Sequence, residues 1–193
     1  MQVRLAATDL ACLRGDRLLF RGLTLALEPS DALHITGANG IGKSSLLRIL
    51  AGLLRPFSGE VHRQGSAALL DERPALDPDQ PLSKALGFWA AMDGHDACAQ
   101  VMRRLALDDL ADVPVQYLST GQRKRAALAR VTLQAAPIWL LDEPMSGLDA
   151  RSRRLVETAI SEHCAGGGVC AFASHQTIDT VAARQCELGG YAP

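Results

Sequence analysis

The sequence predicts an α/β fold, a parallel sheet covered by helices and entered through a phosphate-binding loop, on three observations. The stretch Gly37-Ala38-Asn39-Gly40-Ile41-Gly42-Lys43-Ser44-Ser45 fits a glycine, four residues, then Gly-Lys-Ser. The apolar run Ala32–Thr36 precedes it and helix-type Ser45–Ala51, closed by Gly52, follows, so the context is strand, loop, helix. From Leu118 onward helix and strand patterns alternate, as in parallel strands joined by crossover helices.

Taken in order, Val3–Ala7 and Leu23–Leu27 have strand character and are separated by the turn-forming Arg14-Gly15-Asp16, which predicts an antiparallel sheet leading into the loop. After the loop helix, Arg55–Gly59 is a turn, Glu60–Arg63 a short strand ending at Gly65, and Ala67–Leu70 another. The proline-rich acidic stretch Asp71–Pro81 is a loop. Over residues 82–112 the spacing of Leu82, Leu86, Trp89 and Ala90, then Val101, Leu105, Leu107 and Leu110, predicts two or three helices, a helical insert. A helix over Thr120–Gln134, a strand Ile138–Leu141, a helix Ala150–Cys164 and a strand Val169–Ala173 follow.

A chain of 193 residues suits one domain. Its 20 basic and 21 acidic residues nearly cancel, so the net charge offers no field for nucleic acid or an anionic membrane. The clusters Arg123-Lys124-Arg125 and Arg151, Arg153, Arg154 read as solvated helix faces. No apolar run approaches the roughly twenty residues a bilayer span needs, and the start Met1–Asp9 lacks the order of a secretory signal, so a cytosolic chain is expected. Five cysteines without metal-ligand spacing read as reduced, mostly buried thiols.

The loop's N–H groups and the following helix N-terminus suit phosphate, with Lys43 placed for the β- and γ-phosphates and the Ser44 hydroxyl for Mg²⁺. Four apolar residues run into Asp142-Glu143-Pro144, setting two carboxylates at the carboxyl end of a buried strand, where open α/β sheets bind ligands. Asp142 can hold Mg²⁺ and Glu143 can orient or deprotonate the attacking water. Alone, Asp-Glu-Pro also fits an ordinary acidic turn; behind a phosphate loop it points to hydrolysis. His175, after the strand Val169–Ala173, is placed to contact the γ-phosphate, whereas His34, His62, His95 and His163 read as core or surface residues. Leu118-Ser119-Thr120-Gly121-Gln122 opens a helix and makes a second anion site. One nucleotide does not need two such sites on one chain, which suggests that Ser119, Gly121 and Gln122 serve ATP held by another subunit.

These motifs resemble, over essentially the whole chain, the ATP-binding subunits of ABC transporters: Walker A at Gly37–Ser44, the signature at Leu118–Gln122, Walker B at Ile138–Asp142 with Glu143, the D-loop Ser146–Asp149 and the switch His175. The resemblance implies a P-loop NTPase with a RecA-like parallel sheet core, an antiparallel β subdomain and a small helical subdomain, roughly residues 77–130. It also implies ATP and Mg²⁺ held in an ATP-sandwich dimer of two copies, each ATP between one chain's Walker A and the other's signature. Within the family the chain is most similar to the Ccm-type ATPases of cytochrome c biogenesis, on Arg17–Leu23, Leu70–Leu76, Leu118–Arg130 and Ala136–Pro144. That subgroup implies integral membrane permease subunits of a Ccm-type complex as partners, a peripheral place on the cytoplasmic face of the bacterial inner membrane, and a role in haem export.

Two positions depart from the general pattern. Arg14 aligns where an aromatic stacks on adenine, and its guanidinium can stack instead. Arg73, beside Glu72, stands where a glutamine links the Mg²⁺ site to the membrane subunit. An ATPase of another exporter, for drugs or lipids, shares every motif and is opposed only by the subgroup resemblance. A soluble ABC protein acting on ribosomes or DNA usually carries two cassettes or a long coiled-coil insert.

Overall fold

The structure, a computed structural model, describes residues 3–73, 75–92, 94, 97–175, 178 and 182–193. Of the residues named above, Met1 and His95 lie outside the described residues, as does Pro74 within the Leu70–Leu76 run. Strands β1 (Arg4–Arg14) and β2 (Arg17–Leu27) form a hairpin about Gly15-Asp16, longer than the two short strands the pattern predicts. The reason is irregular register: shifts between Ala7 and Leu10 and between Leu10 and Cys12 interrupt the alternation by which strands are recognised, although Leu10, Cys12 and Phe20 are buried. Strand β3 (Ala32–Thr36) leads through the phosphate loop into helix α1 (Lys43–Ala51), which starts two residues earlier than expected. Strand β4 (Ser58–Gln64) then pairs antiparallel with the other edge of β1, completing a three-stranded sheet in the order β2-β1-β4.

From β5 (Ala67–Leu70) the chain enters the helices α2 (Leu82–Met92), α3 (Cys98–Arg104) and α4 (Thr120–Leu133), with 3-10 turns at Asp108–Leu110 and Val115–Tyr117. It returns through β6 (Ile138–Asp142), α5 (Ala150–Ala165) and β7 (Val169–Ala173). A further strand, β8 (Ala183–Glu187), has no counterpart in the sequence reading. The five strands run parallel in the order β5-β6-β7-β3-β8.

Two cores flank this sheet. On one face α1 is enclosed between the sheets, its Leu46, Leu47 and Leu50 fully buried among Leu5, Phe20 and Leu23 above and Leu33, Ile35, Leu140 and Ala171 below. Each such side chain contributes roughly 1.5–3 kcal/mol of burial. On the other face Trp139, Leu141 and Phe172 pack beneath α2 to α5. Alternate residues of β6 and β7 thus serve opposite faces, so both strands read as continuous apolar runs. The carboxyl ends of β3, β6 and β7 are brought side by side.

Candidate active site

The phosphate loop is built by tight local constraint. Gly42 has φ +116°, which L side chains rarely adopt, and a Cβ there would stand 3.1 Å from the Phe20 ring, so the loop is packed closely against β2. The amide of Leu46 donates to the Gly42 carbonyl at 2.8 Å, starting the helix directly from the loop. Lys43, only 8% exposed, turns back along the loop and donates to the Gly37 carbonyl at 2.7 Å and the Ala38 carbonyl at 3.2 Å. Gly40 and Asn39 are exposed and Ile41 half-buried. Beneath the loop, burial pushes the Cys12 thiol pKa up, opposed by a hydrogen bond from the Ser45 side chain and by the Arg14 cation. Arg14 itself is exposed at the hairpin end, opposite Arg17.

Of the predicted residues, His175 meets the loop, Glu143 lies beside His175, and Asp142 precedes Glu143 at the end of β6. Asp142 ends β6 and is 6% exposed. Glu143 follows at φ +47°, its N–H donating to the Ala173 carbonyl of β7 at 2.9 Å. His175 lies with Nε2 2.9 Å from Asn39 Oδ1 and 3.6 Å from Glu143 Oε1, joining loop, β6 end and β7 end. Ser44 at the start of α1 and Asp142 at the end of β6 supply a hydroxyl and a carboxylate, hard oxygen donors of the kind that hold Mg²⁺ together with substrate phosphates, so these residues fit the metal.

The signature segment is organised separately. Ser119 caps α4 with a reciprocal box: its N–H donates to Gln122 Oε1 at 2.8 Å and its Oγ accepts from the Gln122 N–H at 3.3 Å. No hydrogen bond joins Ser119, Gly121 or Gln122 to the phosphate loop among the described residues. Instead Gly121 rests on the D-loop, where a Cβ would stand 3.6 Å from Leu148 and 3.8 Å from the Gly147 carbonyl. Asp149 closes that loop by capping α5, accepting from the Ser152 N–H at 2.7 Å, a bond that draws its carboxyl pKa down.

One sequence expectation is corrected. Arg123, Arg151 and Arg154 are exposed, but Lys124, Arg125 and Arg153 are half-buried rather than on solvated faces. Lys124 Nζ donates to the Glu143 carbonyl at 2.6 Å, and Arg125 to the Leu105 and Ala106 carbonyls at 2.7 and 2.5 Å. A run of basic residues looks alike whether it faces water or unpaired carbonyls, so composition held no signal for this. His34 is a core residue as expected, with an added role: it stacks on Phe172 at 4.8 Å and bonds the Ser174 carbonyl at 2.8 Å, next to His175. The Thr36 hydroxyl donates to Glu187 at 2.7 Å, tying β8 to the base of the loop. Arg73 is exposed, and its N–H donates to Asp71 Oδ1, while Asp71 Oδ2 pairs with Arg48 at 3.2 Å.

Comparison with known proteins gives this geometry its relatives. The ABC transporter family profile matches residues 20–146. The chain is 54% identical over 189 residues, 98% of it and 97% of the relative, to the cytochrome c biogenesis ATP-binding export protein of Novosphingobium aromaticivorans. It is 55% identical over 177 residues, 91% of it and 80% of the relative, to the protein of the same description from Zymomonas mobilis. Among solved structures, a putative ABC transporter ATP-binding protein from Pyrococcus furiosus superposes with a TM-score of 0.84 over 98% of this chain and 100% of that one, at 23% identity. An RNase-L inhibitor superposes with a TM-score of 0.82 over 98% of this chain but 38% of the other, at 26% identity. The phosphate loop, the paired carboxylates, the histidine beside them and these relatives agree, and the chain belongs to the ABC transporter family of ATP-binding subunits, among its cytochrome c biogenesis ATP-binding export proteins.

Proposed function

We propose that this chain hydrolyses ATP to power an ABC export complex of cytochrome c biogenesis that handles haem, working from the cytoplasmic face of the inner membrane with integral permease subunits. The observation that carries the reaction is the meeting of Asn39, His175 and Glu143 at the mouth of the phosphate loop. The amides of residues 37–45 cradle the phosphates and Lys43 exchanges its carbonyl partners for phosphate oxygens. Ser44 and Asp142 would hold Mg²⁺, which would neutralise phosphate charge when bound. Glu143 orients or deprotonates the attacking water, and His175, held by Asn39, contacts the γ-phosphate. Arg14 stacks on the base. Ser119, Gly121 and Gln122 complete the site of a second copy: the Ser119 cap occupies the Gln122 amide, and the amides of Thr120 and Gly121 have no intrahelical acceptor available to them.

Residues 77–130 serve as the helical subdomain, and the exposed Phe88, beside Trp89, Lys84 and Gln80 in a groove of about 420 Å³, suits an amphipathic segment of a permease. Among the described residues no helix is long and apolar enough to cross a membrane. Glu143→Gln is the direct test. It should bind ATP as the wild type does and lose roughly 10²-fold or more of turnover, measured by nucleotide binding and phosphate release; normal hydrolysis would remove Glu143 from its role. Isolation of the complex from membranes tests the pathway, since recovery with permeases unrelated to cytochrome c maturation would assign the chain to another exporter.

A further inference from the structure

Glu143 stands at φ +47°, a left-handed backbone conformation that is strained for a non-glycine residue. Such a turn persists only where its surroundings hold it. Its N–H is fixed by the Ala173 carbonyl at 2.9 Å, within the parallel sheet. Its carbonyl accepts a 3.3 Å bond from the Ser146 N–H and a 2.6 Å bond from Lys124 Nζ. The second is the shorter, is assisted by a full charge, and comes from α4, a separate part of the fold.

We propose that Lys124 is a positioning residue for hydrolysis, which fixes the peptide that aims the Glu143 carboxylate and thereby ties that carboxylate to the placement of α4 in the same chain. The inference rests on the reading of Glu143 as the water-orienting group. A lysine suits the task, being a compact cation on a long stem that can cross from a helix to one carbonyl oxygen. Burial draws its pKa below the ordinary lysine value, and the negative charges of Glu143, Asp142 and Glu72 oppose that shift. Lys124 also lies on the helix whose first turn carries Ser119 and whose Gly121 rests on Leu148. A shift of α4 therefore reaches Glu143 through the lysine and through the D-loop together. Bonding at the signature end of α4 is in this way felt at the water-orienting carboxylate of the same subunit.

The test is steady-state ATP hydrolysis by the full chain carrying Lys124→Met, Lys124→Arg, Glu143→Gln, or Lys124→Met with Glu143→Gln. Lys124→Met should lower kcat roughly ten- to a hundredfold while KM stays within about twofold, and Lys124→Arg should restore most of the rate. In the Glu143→Gln background Lys124→Met should cost nothing further, because the lysine acts through that carboxylate. If Lys124→Met does not fold, Lys124→Gln takes its place, lacking the charge and some of the reach, with the same kcat loss at unchanged KM expected. Wild-type kcat in the neutral variant, a change confined to KM, or an equal further loss on top of Glu143→Gln would overturn the proposal. Normal hydrolysis by Glu143→Gln would instead overturn the reading of the site, whatever Lys124 does.

Discussion

His163 lies almost parallel to the Trp139 indole, with ring centroids 4.1 Å apart and planes 11° apart, and its Nε2 meets the Val169 carbonyl at 3.2 Å. Burial pushes its pKa below the ordinary imidazole value, against smaller opposing bonds to backbone carbonyls. The folded state therefore takes up this proton less readily than the unfolded one. Its contribution to stability is complete above the free-histidine value, falls as pH drops through that value, and stops falling once the folded pKa is passed. Melting temperature should accordingly decline between about pH 7.5 and pH 5.5, and His163→Phe, which keeps a stacked ring, should decline less steeply. Parallel profiles would show that the histidine is not responsible. At this scale the sequence was readable wherever chemistry is local: glycines, lysine and serine at fixed spacing specify a phosphate loop in whatever fold carries them. It was silent where a side chain's partner is remote, as with Lys124 on Glu143 and His34 on Ser174.

Elements show the same division. The buried strands β6 and β7 were predicted nearly to the residue because both faces are covered, leaving unbroken apolar runs. The edge strand β8 was missed because Arg184, Gln185 and Glu187 are exposed and only Ala183 and Cys186 are half-buried, a pattern short of any strand template. The hairpin was cut short by its bulges. One of these is a particular constraint: the pairing of β1 with β4 shifts between Thr8 and Ala11, Asp9 has φ +51° and Gly59 φ +81°. A Cβ on Gly59 would stand 2.4 Å from the Thr8 and Asp9 carbonyl oxygens, which are backbone and cannot turn aside. Gly59→Ala should thus cost roughly 2 kcal/mol or more, seen as a melting temperature lower by roughly 4–8 °C. An unchanged melting curve would mean that the β1–β4 bulge relaxes freely.

For the whole molecule, the proposed use of the signature on a second copy's nucleotide predicts that hydrolysis is a property of pairs. Two copies related by a two-fold axis would place each signature on the other's nucleotide. Turnover by the purified chain should rise more than linearly with its concentration. A Ser119→Arg chain and a Lys43→Ala chain, each inactive alone, should together recover roughly a quarter of wild-type activity at equal mixing, since half the dimers are mixed and each has one intact site of two. No recovery in the mixture, or full activity in isolated monomers, would refute the shared site. The expectation of a shared site rests on the redundancy of a second anion site within one chain, whereas the support of the sheet by β8 could only be seen folded.

The placement of β3 also sets an order of events during synthesis. Its two neighbours in the sheet are β7 and β8, made long after it, whereas β1 and β2 pair with each other as soon as both are made, and β4, which takes the other edge of β1, follows directly after α1. While the chain is still emerging from the ribosome, the strand that carries the phosphate loop has neither edge paired until Val169 has been added, and its second edge waits for Glu187. Nascent chains halted before Val169 should therefore fail to be labelled by a photoreactive ATP analogue, and those extending past Glu187 should be labelled; labelling of the short chains would show that α1 and the hairpin can hold the loop unaided. On this expectation nucleotide capture comes late, after the signature helix and the paired carboxylates Asp142 and Glu143 have already been made.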